Sequence, residues 1–320
     1  MDISVAMATY QGAAYLAEQL DSIAGQSLLP DELVVCDDRS ADQTAAIVRR
    51  LAASAPFAVR LEINDRNLGA RENFARAVAL CRGEWIVLAD QDDVWLPHKL
   101  RTLREAVSRR PDAALVFSDA LLVDPARRPL GSSLWQVLRF GRREQREVND
   151  GRALDVLLRR NVVTGATMAL RADHRDLLLP IPDGWVHDAW FALLLAAVAG
   201  CVAVPEPLVE YRQHPGQQIG ARRRTLFEEY LRVKGRGPGE FEAVAAAYAA
   251  ARDRLLVFRD RLRDVRAIGR LERKVAHFRA KARMRTRRAL RLPLVARELA
   301  CRHYGKYSTG WRSLAQDLFA

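Results

Sequence analysis

The sequence has few of the features that mark a secreted or disulfide-bonded protein. Its four cysteines, Cys36, Cys81, Cys201 and Cys301, are widely spaced and form no CxxC pair. That scatter argues against a disulfide framework or a zinc site and favours buried thiols. The N-terminal segment has neither a basic start nor a long apolar stretch, so it does not look like a signal peptide. We therefore expect a cytoplasmic protein.

Long apolar runs are also missing. The longest candidate, residues 189–204, contains sixteen uncharged residues, whereas a membrane-spanning helix needs roughly 20. Gly200 interrupts this run and Pro205 ends it. The pattern predicts a buried helix followed by a strand that begins near Cys201.

Two common nucleotide-binding motifs are absent. No GxGxxG follows the first predicted strand, and no GxxxxGK[ST] occurs anywhere in the chain. A dinucleotide site of the Rossmann kind is therefore disfavoured, and a P-loop is excluded.

Positive charge is scarce in the first two thirds of the chain and abundant afterwards. The net charge is +12, yet residues 1–220 carry 25 basic and 29 acidic side chains, whereas residues 221–320 carry 26 and 10. We expect two parts, a mildly acidic globular domain over residues 1–220 and a basic helical extension over residues 221–320.

The first part alternates strand-like and helix-like patterns. The predicted strands span residues 3–9, 32–38, 59–64, 85–90 and 114–123. Between them, helices are predicted over 13–24, from a capping box at Ser40 and Gln43 to Leu51, over 70–82, and after Pro97. Residues 125–150 resemble a loop-rich insertion. Strands separated by single helices predict an α/β fold with a mostly parallel, doubly wound sheet.

Polar clusters follow four of these strands. They are Thr9-Tyr10, Asp37-Asp38, Asn64-Asp65 and Asp90-Gln91-Asp92-Asp93. In such sheets ligands bind at the carboxyl ends of the strands. Three carboxylates in four residues predict a hard divalent cation, Mg²⁺ or Mn²⁺, in an open site that also takes phosphate oxygens. The alternative, that each aspartate caps a helix, suits Asp37 or Asp38 but not three acids at one edge.

Several segments closely resemble one enzyme family. They are SVAMATYQGAAYLAEQLDSIAGQS, NLGARENFARAVALCRGEWIVLADQDDVWLPHKL, NVVTGATMAL and WVHDAWFALLLAAVAGCVAVPEPLVEYRQH. In this order they resemble the inverting glycosyltransferases of family 2, which have a GT-A fold, over roughly residues 2–220. DQDDVW, HDAW and YRQH most resemble the rhamnosyltransferase-type branch, which builds bacterial surface polysaccharides.

The resemblance implies a metal-dependent transfer of a sugar from a nucleotide donor, dTDP-rhamnose or a UDP-sugar, to a hydroxyl of a growing, in some cases lipid-linked, glycan. The implied nucleotide-sugar contacts are Thr9, Tyr10, Asp38, Arg71, Asp90 and Gln91. The implied ligands of Mg²⁺ or Mn²⁺ are Asp90, Asp92 and His214. The implied catalytic base is Asp188. The implied acceptor contacts are Gly165, Trp185, His187 and Trp190.

Physical chemistry supports some of these roles but leaves alternatives open. Direct displacement at an anomeric carbon needs a base for the acceptor hydroxyl, and one carboxylate such as Asp188 is enough. Asp188 also stands where an aspartate could cap the following apolar helix. Trp185 and Trp190, which flank it, offer rings that can stack on sugars.

The basic extension permits three interpretations. A basic amphipathic helix suits the surface of an anionic membrane. A solvated charged face packed back on the first domain is equally compatible with the pattern. Nucleic acid ranks last, because aromatics are sparse and no binding motif is visible. The competing function is therefore a non-catalytic metal- or nucleotide-binding module with a tail that associates with nucleic acid.

Overall fold

The computed structural model describes residues 1–215 and 237–319, and the strands of the first range form one mixed sheet. The strands are β1 Ile3–Thr9, β2 Glu32–Asp37, β3 Ala58–Ile63, β4 Trp85–Ala89, β5 Val94–Trp95, β6 Ala113–Val123, β7 Pro129–Ser133, β8 Met168–Arg171 and β9 Gly200–Arg212. Their order is β3-β2-β1-β4-β8-β6-β9-β5, with β7 paired to β6 outside this path.

The first half of the sheet is parallel, as predicted. β3, β2, β1 and β4 pair in parallel, and β1, β2 and β4 are buried along their length because helices cover the sheet. β8 then runs antiparallel to both β4 and β6, while β6 and β9 pair in parallel. The antiparallel β8 joins the parallel half of the sheet, formed by β3, β2, β1 and β4, to the half that carries β9.

The helices that precede the extension are α1 Leu16–Ala24, α2 Thr44–Ala52, α3 Ala70–Leu80, α4 Lys99–Ser108, α5 Leu134–Leu138, α6 Arg142–Glu147, α7 Ala153–Arg159, α8 Arg175–Leu178 and α9 His187–Val198. The predicted capping box of α2 is wrong. The Ser40 hydroxyl donates to Asp37 at 2.7 Å, which ties it to the end of β2. Asp42 instead accepts the Thr44 amide at 3.0 Å, so the helix begins at Thr44.

The predicted loop-rich insertion over residues 125–150 is also partly wrong. It contains β7, α5 and α6, and Ser133 caps α5 with a capping box completed by Gln136. Trp135 and Phe140 pack edge-to-face at 4.8 Å and are buried in the core. These two large aromatic side chains therefore give the segment enough buried surface to fold. Its arginines and glycines had instead indicated a loop.

The apolar run over residues 189–204 forms what the pattern predicts, the buried helix α9 followed by β9. Across residues 1–215 and 237–319, no helix combines the length and apolar character needed to cross a membrane. Three of the cysteines are buried as expected, whereas Cys301 is exposed.

The described part of the extension, residues 237–319, is helical, as predicted. Its helices are α10 Pro238–Val257, α11 Arg266–Thr286, α12 Arg291–Ala300, α13 His303–Tyr307 and α14 Trp311–Phe319. Its inner face packs on the first domain: Trp185 Nε1 donates to the Ala247 carbonyl at 2.9 Å, and Arg254 donates to the carbonyls of Leu177 and Leu179 at 2.8 and 2.9 Å. The predicted boundary between residues 220 and 221 lies outside the described residues.

A buried carboxylate links three helices of the extension. Glu298 of α12 accepts hydrogen bonds from His277 of α11 at 2.7 Å and from His303 of α13 at 2.8 Å, both at Oε2. Arg297 Nη2 donates to its other oxygen at 2.7 Å. Burial would raise the pKa of Glu298, but the bonds from His277, Arg297 and His303 lower it to about 2. The apolar cluster beside it is small, with Ala280, Met284 and Val295 as its buried members, so this network matters for stability.

We predict that Glu298→Gln lowers the free energy of unfolding by roughly 2–4 kcal/mol, because an amide nitrogen cannot accept the bonds that the carboxylate accepts. Thermal unfolding of the full protein, followed by circular dichroism, measures the effect. Glu242→Gln, at an exposed position of α10, is the control and should leave the melting temperature unchanged. Equal melting temperatures for both variants would contradict a stabilising role for Glu298.

Candidate active site

Four carboxylates meet at the edge where β4 ends. Asp90, Asp92 and Asp93 lie in the connection between β4 and β5, and Asp188 lies in the first turn of α9. Burial, followed by the charges of Asp92 and Asp188, raises the pKa of Asp90 to about 7, and Lys99 opposes this rise. The site therefore concentrates negative charge in low-dielectric surroundings, which favours a bound cation.

Asp93 is the most enclosed of the four. It has no exposed surface, and burial together with Asp92 and Asp90 raises its pKa well above the usual range. One of its oxygens accepts the Arg212 amide at 3.0 Å, and the other has no hydrogen-bond partner in the described part of the chain. Asp93 thus connects the acidic cluster to the end of β9.

Two of the three implied metal ligands lie side by side. His214 Nε2 and Asp92 Oδ2 are 2.8 Å apart, although 122 residues separate them in the chain. Arg212 positions this pair, since its Nε donates to the Asp92 carbonyl at 2.8 Å and its Nη2 lies 3.1 Å from Glu18. The third implied ligand, Asp90, contributes its charge to the same edge.

Asp90 does not converge with Asp92 and His214 into a closed ligand set. In residues 1–215 and 237–319, the group of three metal-binding side chains with ligand atoms within 4.8 Å is His277, Glu298 and His303, whose atoms are hydrogen-bonded to one another. A carboxylate and an imidazole nevertheless fit Mg²⁺ or Mn²⁺, because such ions take one or two carboxylates and fill their other positions with phosphate oxygens and water.

Asp188 is held as a directed carboxylate. The N-cap of α9 is Val186, so the alternative role of Asp188 as the helix cap is wrong. Its oxygens accept the amides of Gly165, at 3.2 Å, and of Ala189. Burial raises its pKa to about 6, and these two hydrogen bonds oppose the rise. The group is therefore ionised at neutral pH and remains basic enough to accept a proton.

The Gly165 amide helps to hold Asp188, and a contact of Gly165 with an acceptor remains a prediction. A Cβ at this position would lie 2.7 Å from His187 Nε2, so only glycine lets the Gly165 amide approach the first turn of α9. The His187 ring stacks on Phe74 with centroids 4.0 Å apart. Burial lowers the pKa of His187 to about 3, so the ring is neutral.

Two of the implied acceptor contacts are wrong. Trp190 has no exposed surface and donates through Nε1 to the Leu178 carbonyl at 2.8 Å, and His187 is buried against Phe74. The reason is that α9 is apolar around its whole circumference, so these rings enter the core. Trp185 is half-buried and spends its indole N–H on the extension.

The implied nucleotide contacts fall into two groups. The polar groups of Thr9 and Asp38 are engaged internally: Thr9 Oγ1 donates to Asp37 at 2.8 Å, and Asp38 accepts the amides of Leu68 and Gly69, each at 2.7 Å. Asp38 also accepts Asn64 Nδ2 at 2.8 Å. It therefore shapes the loop before α3, and a direct contact with a base or ribose remains a prediction.

Tyr10, Gln91 and Arg71 lie nearer the open side. The Gln91 amide pairs with the backbone of Tyr10, accepting at 2.8 Å and donating at 3.0 Å, while the Tyr10 side chain is exposed. Arg71 lies 2.7 Å from Asp183 and donates to the Ile181 carbonyl at 3.1 Å. Arg71 thus joins the start of α3 to the loop that leads into α9.

Sequence analysis missed Lys99 and Tyr211. Lys99 is fully buried, donates to the Ala166 carbonyl at 2.8 Å and lies 3.7 Å from the centre of the Trp95 ring. It lies four residues before Leu103 on the buried face of α4, so this helical spacing could have indicated that Lys99 is buried. Tyr211 is buried beside the four aspartates of the site. Burial raises its pKa most, and the negative charges of these aspartates raise it further.

Comparison with known proteins finds a family likeness in the first half of the chain. Residues 4–156 match the family model for glycosyl transferase family 2. An uncharacterized protein of Mycobacterium tuberculosis is 28% identical over 218 residues, which cover 66% of this chain and 59% of that protein. The succinoglycan biosynthesis protein ExoO of Rhizobium meliloti is 36% identical over 113 residues, 35% of this chain and 30% of ExoO. The chain thus spans less than two thirds of these relatives.

Two solved structures share the fold. TarS 1-349 of S. aureus, in complex with UDP-GlcNAc, has a TM-score of 0.56 at 17% identity and covers 99% of this chain and 89% of its own. The mannosyltransferase PcManGT of Pyrobaculum calidifontis, in complex with GDP-Man and Mn²⁺, has a TM-score of 0.51 at 18% identity over 93% and 75%. The predicted GT-A fold with a helical C-terminal region is confirmed.

Proposed function

We propose that this chain is a metal-dependent inverting glycosyltransferase that moves a sugar from a nucleoside diphosphate to a hydroxyl of a cell-surface glycan. The observation that carries the proposal is the approach of Asp188, with a pKa of about 6, to the acidic edge that also holds Asp92 and His214. A base and a cation site at one edge are the two parts that direct displacement needs. The family 2 match over residues 4–156 supports the same reaction class.

Relatives suggest the classes of donor and acceptor. TarS was solved with UDP-GlcNAc and PcManGT with GDP-Man, and ExoO is named for succinoglycan biosynthesis. These names support a nucleotide-sugar donor and a polysaccharide acceptor. The UDP-GlcNAc complex of TarS supports a UDP-sugar as the donor of this chain. The alternative donor, dTDP-rhamnose, rests on the resemblance of DQDDVW, HDAW and YRQH to the rhamnosyltransferase-type branch.

Asp92 and His214 would hold Mg²⁺ or Mn²⁺, as the Mn²⁺ of PcManGT also suggests. A bound divalent ion supplies neutralisation of the charge that develops on the leaving diphosphate. Asp90 adds negative charge beside this pair, and Arg212 fixes the position of the Asp92 backbone. These residues therefore bind and orient the leaving-group side of the reaction.

Asp188 takes the proton of the acceptor hydroxyl. The amides of Gly165 and Ala189 hold its carboxylate, which limits the directions in which it can accept a proton. One such carboxylate is enough if the acceptor oxygen attacks the anomeric carbon directly, and a direct attack inverts the configuration. Trp185 and Tyr10 have exposed surface and are aromatic side chains that could contact a sugar.

The extension is proposed to lie on an anionic membrane surface. Its described residues expose many large apolar side chains in a strongly basic segment, namely Leu256, Val257, Val265, Leu290, Leu292, Leu299, Trp311 and Leu318. Exposed apolar groups among arginines are the composition of interfacial membrane-binding elements. Such an attachment would bring the active site close to a lipid-linked acceptor.

Asp92→Asn should abolish metal-dependent transfer without unfolding the protein, since it removes an ionic ligand at nearly constant side-chain volume. Transfer from a panel of nucleotide sugars, with and without Mg²⁺ or Mn²⁺, measures this. Asp65→Asn, exposed at the end of β3, is the control and should retain full activity. Undiminished turnover of the wild type in excess chelator would refute metal dependence.

Asp188→Asn should lower transfer by roughly 10²–10⁴-fold while donor affinity stays near that of the wild type, because the base contacts the acceptor. Since burial raises the pKa of Asp188 to about 6, the wild-type rate should rise with pH up to that value and then level off. The residual rate of the variant should lack this step. A wild-type rate and pH profile in the variant would remove Asp188 from the mechanism.

The full chain should sediment with anionic vesicles and be released as salt rises, because the attraction is screened within about 8–10 Å. Vesicle sedimentation between low and physiological salt measures this. Equal binding to neutral and anionic vesicles would contradict an electrostatic attachment.

A further inference from the structure

A cavity of about 390 Å³ lies on the extension, between α10, α11 and α12. Every residue of its lining belongs to the extension, so it is separate from the acidic edge that holds Asp188. Four arginines line it together with one acid and a small apolar floor, as follows: Arg252, Arg279, Arg283, Arg297, Glu272, Val275, Ala276 and Ala280. Cavities of this volume are in the range of small-molecule sites.

The arginines of this cavity, here called the arginine pocket, are not equally neutralised. Arg252 lies 2.6 Å from Asp253, and Arg297 lies 2.7 Å from Glu298. Arg279 and Arg283 are exposed, and within residues 1–215 and 237–319 their guanidinium groups have no carboxylate or hydrogen-bond partner. Two arginines four residues apart on one helix repel each other, so the pocket holds positive charge without an internal counterpart.

The acid in the lining does not remove this excess. Glu272 is exposed, and no ion pair joins it to an arginine in the described ranges. Even counted in full, one carboxylate faces the two guanidinium groups of Arg279 and Arg283, so an excess of positive charge remains. An anion bound here would relieve the repulsion between Arg279 and Arg283, which gives the site a thermodynamic reason to be occupied.

We propose that the arginine pocket binds a phosphate group. The planar guanidinium fork matches phosphate oxygens in two parallel hydrogen bonds, and several forks from different helices can contact one phosphate. The helix that supplies Arg297, α12, also exposes Leu292 and Leu299 on other faces, so the extension offers apolar surface as well as the pocket. That combination favours the phosphate of a lipid headgroup over a free phosphate.

For a lipid source, this inference rests on the membrane association proposed above and makes it specific to one site. Phosphate binding by the pocket does not depend on it, nor on glycosyl transfer. The lipid source predicts that the pocket arginines contribute more to membrane binding than other exposed arginines of equal charge do.

The test compares two double variants of the full chain. Arg279→Gln with Arg283→Gln removes the two unneutralised charges of the pocket. Arg142→Gln with Arg146→Gln removes two exposed arginines at the same spacing on α6, and is the matched control. Both are helix-compatible surface changes, and thermal unfolding checks that each variant is folded. Removing the i, i+4 repulsion should leave the melting temperature of the pocket variant equal to or above that of the wild type.

The first arm measures binding to vesicles of phosphatidylglycerol and phosphatidylcholine, and to phosphatidylcholine alone. The pocket variant should bind anionic vesicles at least about tenfold more weakly than the wild type, given about 1 kcal/mol per basic side chain at the surface, and the control should match the wild type. The second arm titrates inorganic pyrophosphate in chelator, so that the acidic edge cannot bind it through a metal. Wild type and control should bind, and the pocket variant should not.

The outcomes separate the sources. Loss in both arms supports a phosphate site that takes lipid headgroups. Loss of pyrophosphate binding with unchanged vesicle binding supports a site for a soluble phosphate and overturns the lipid source. A pocket variant that behaves like the control in both arms overturns the proposal. Transfer to a soluble acceptor should be the same in all three proteins, so a failure of the proposed transferase activity would be recognised separately.

Discussion

The structure depends on the crowding of four aspartates, one buried and three half-buried, at one edge of the sheet with too little positive charge to balance them. Asp93 has no solvent-exposed surface, and Asp90 is influenced by both Asp92 and Asp188. The protein partly compensates with a buried lysine and with backbone amides, in particular those of Arg212 and Gly165. What remains is a negative field that would suit a divalent cation, and Asp188 at the same edge is the base of the proposed transfer.

The same constraint joins two parts of the chain that the comparisons treat differently. The family 2 match ends at residue 156, whereas Asp188 and His214 come later. β8 and β9 bring these later residues to the end of β4, since β8 pairs with β4 and β5 pairs with β9. A domain defined by similarity alone would therefore contain the acidic end of β4 but would lack both Asp188 and His214.

Much of the fold could be predicted because it rests on local patterns. The parallel strands are apolar runs, and most of α9 lies within the uncharged run of residues 189–204, which Pro205 ends. The errors have physical causes. The spacing of Ser40 and Gln43 matches a capping box, but the Ser40 hydroxyl instead donates a hydrogen bond to Asp37 at the end of β2. Trp190 and His187 are close to Asp188 in sequence. Their side chains nevertheless lie in the core, because α9 is buried on nearly all sides. Lys99 was overlooked because a charged residue on a buried stripe is rare, and only the neighbouring acids explain it.

Arg212 and His214 reach the acidic edge from far along the chain. The hydrogen bond from Arg212 to Asp93 spans 119 residues, and the contact between His214 and Asp92 spans 122. During synthesis the aspartates at the end of β4 are made well before these partners, and a domain generally folds as a unit. Throughout that interval the aspartates at the end of β4 lack the arginine and histidine that complete their surroundings. The acidic edge is accordingly complete only after β9 has been made, and a nascent chain that stops before β9 lacks both Arg212 and His214.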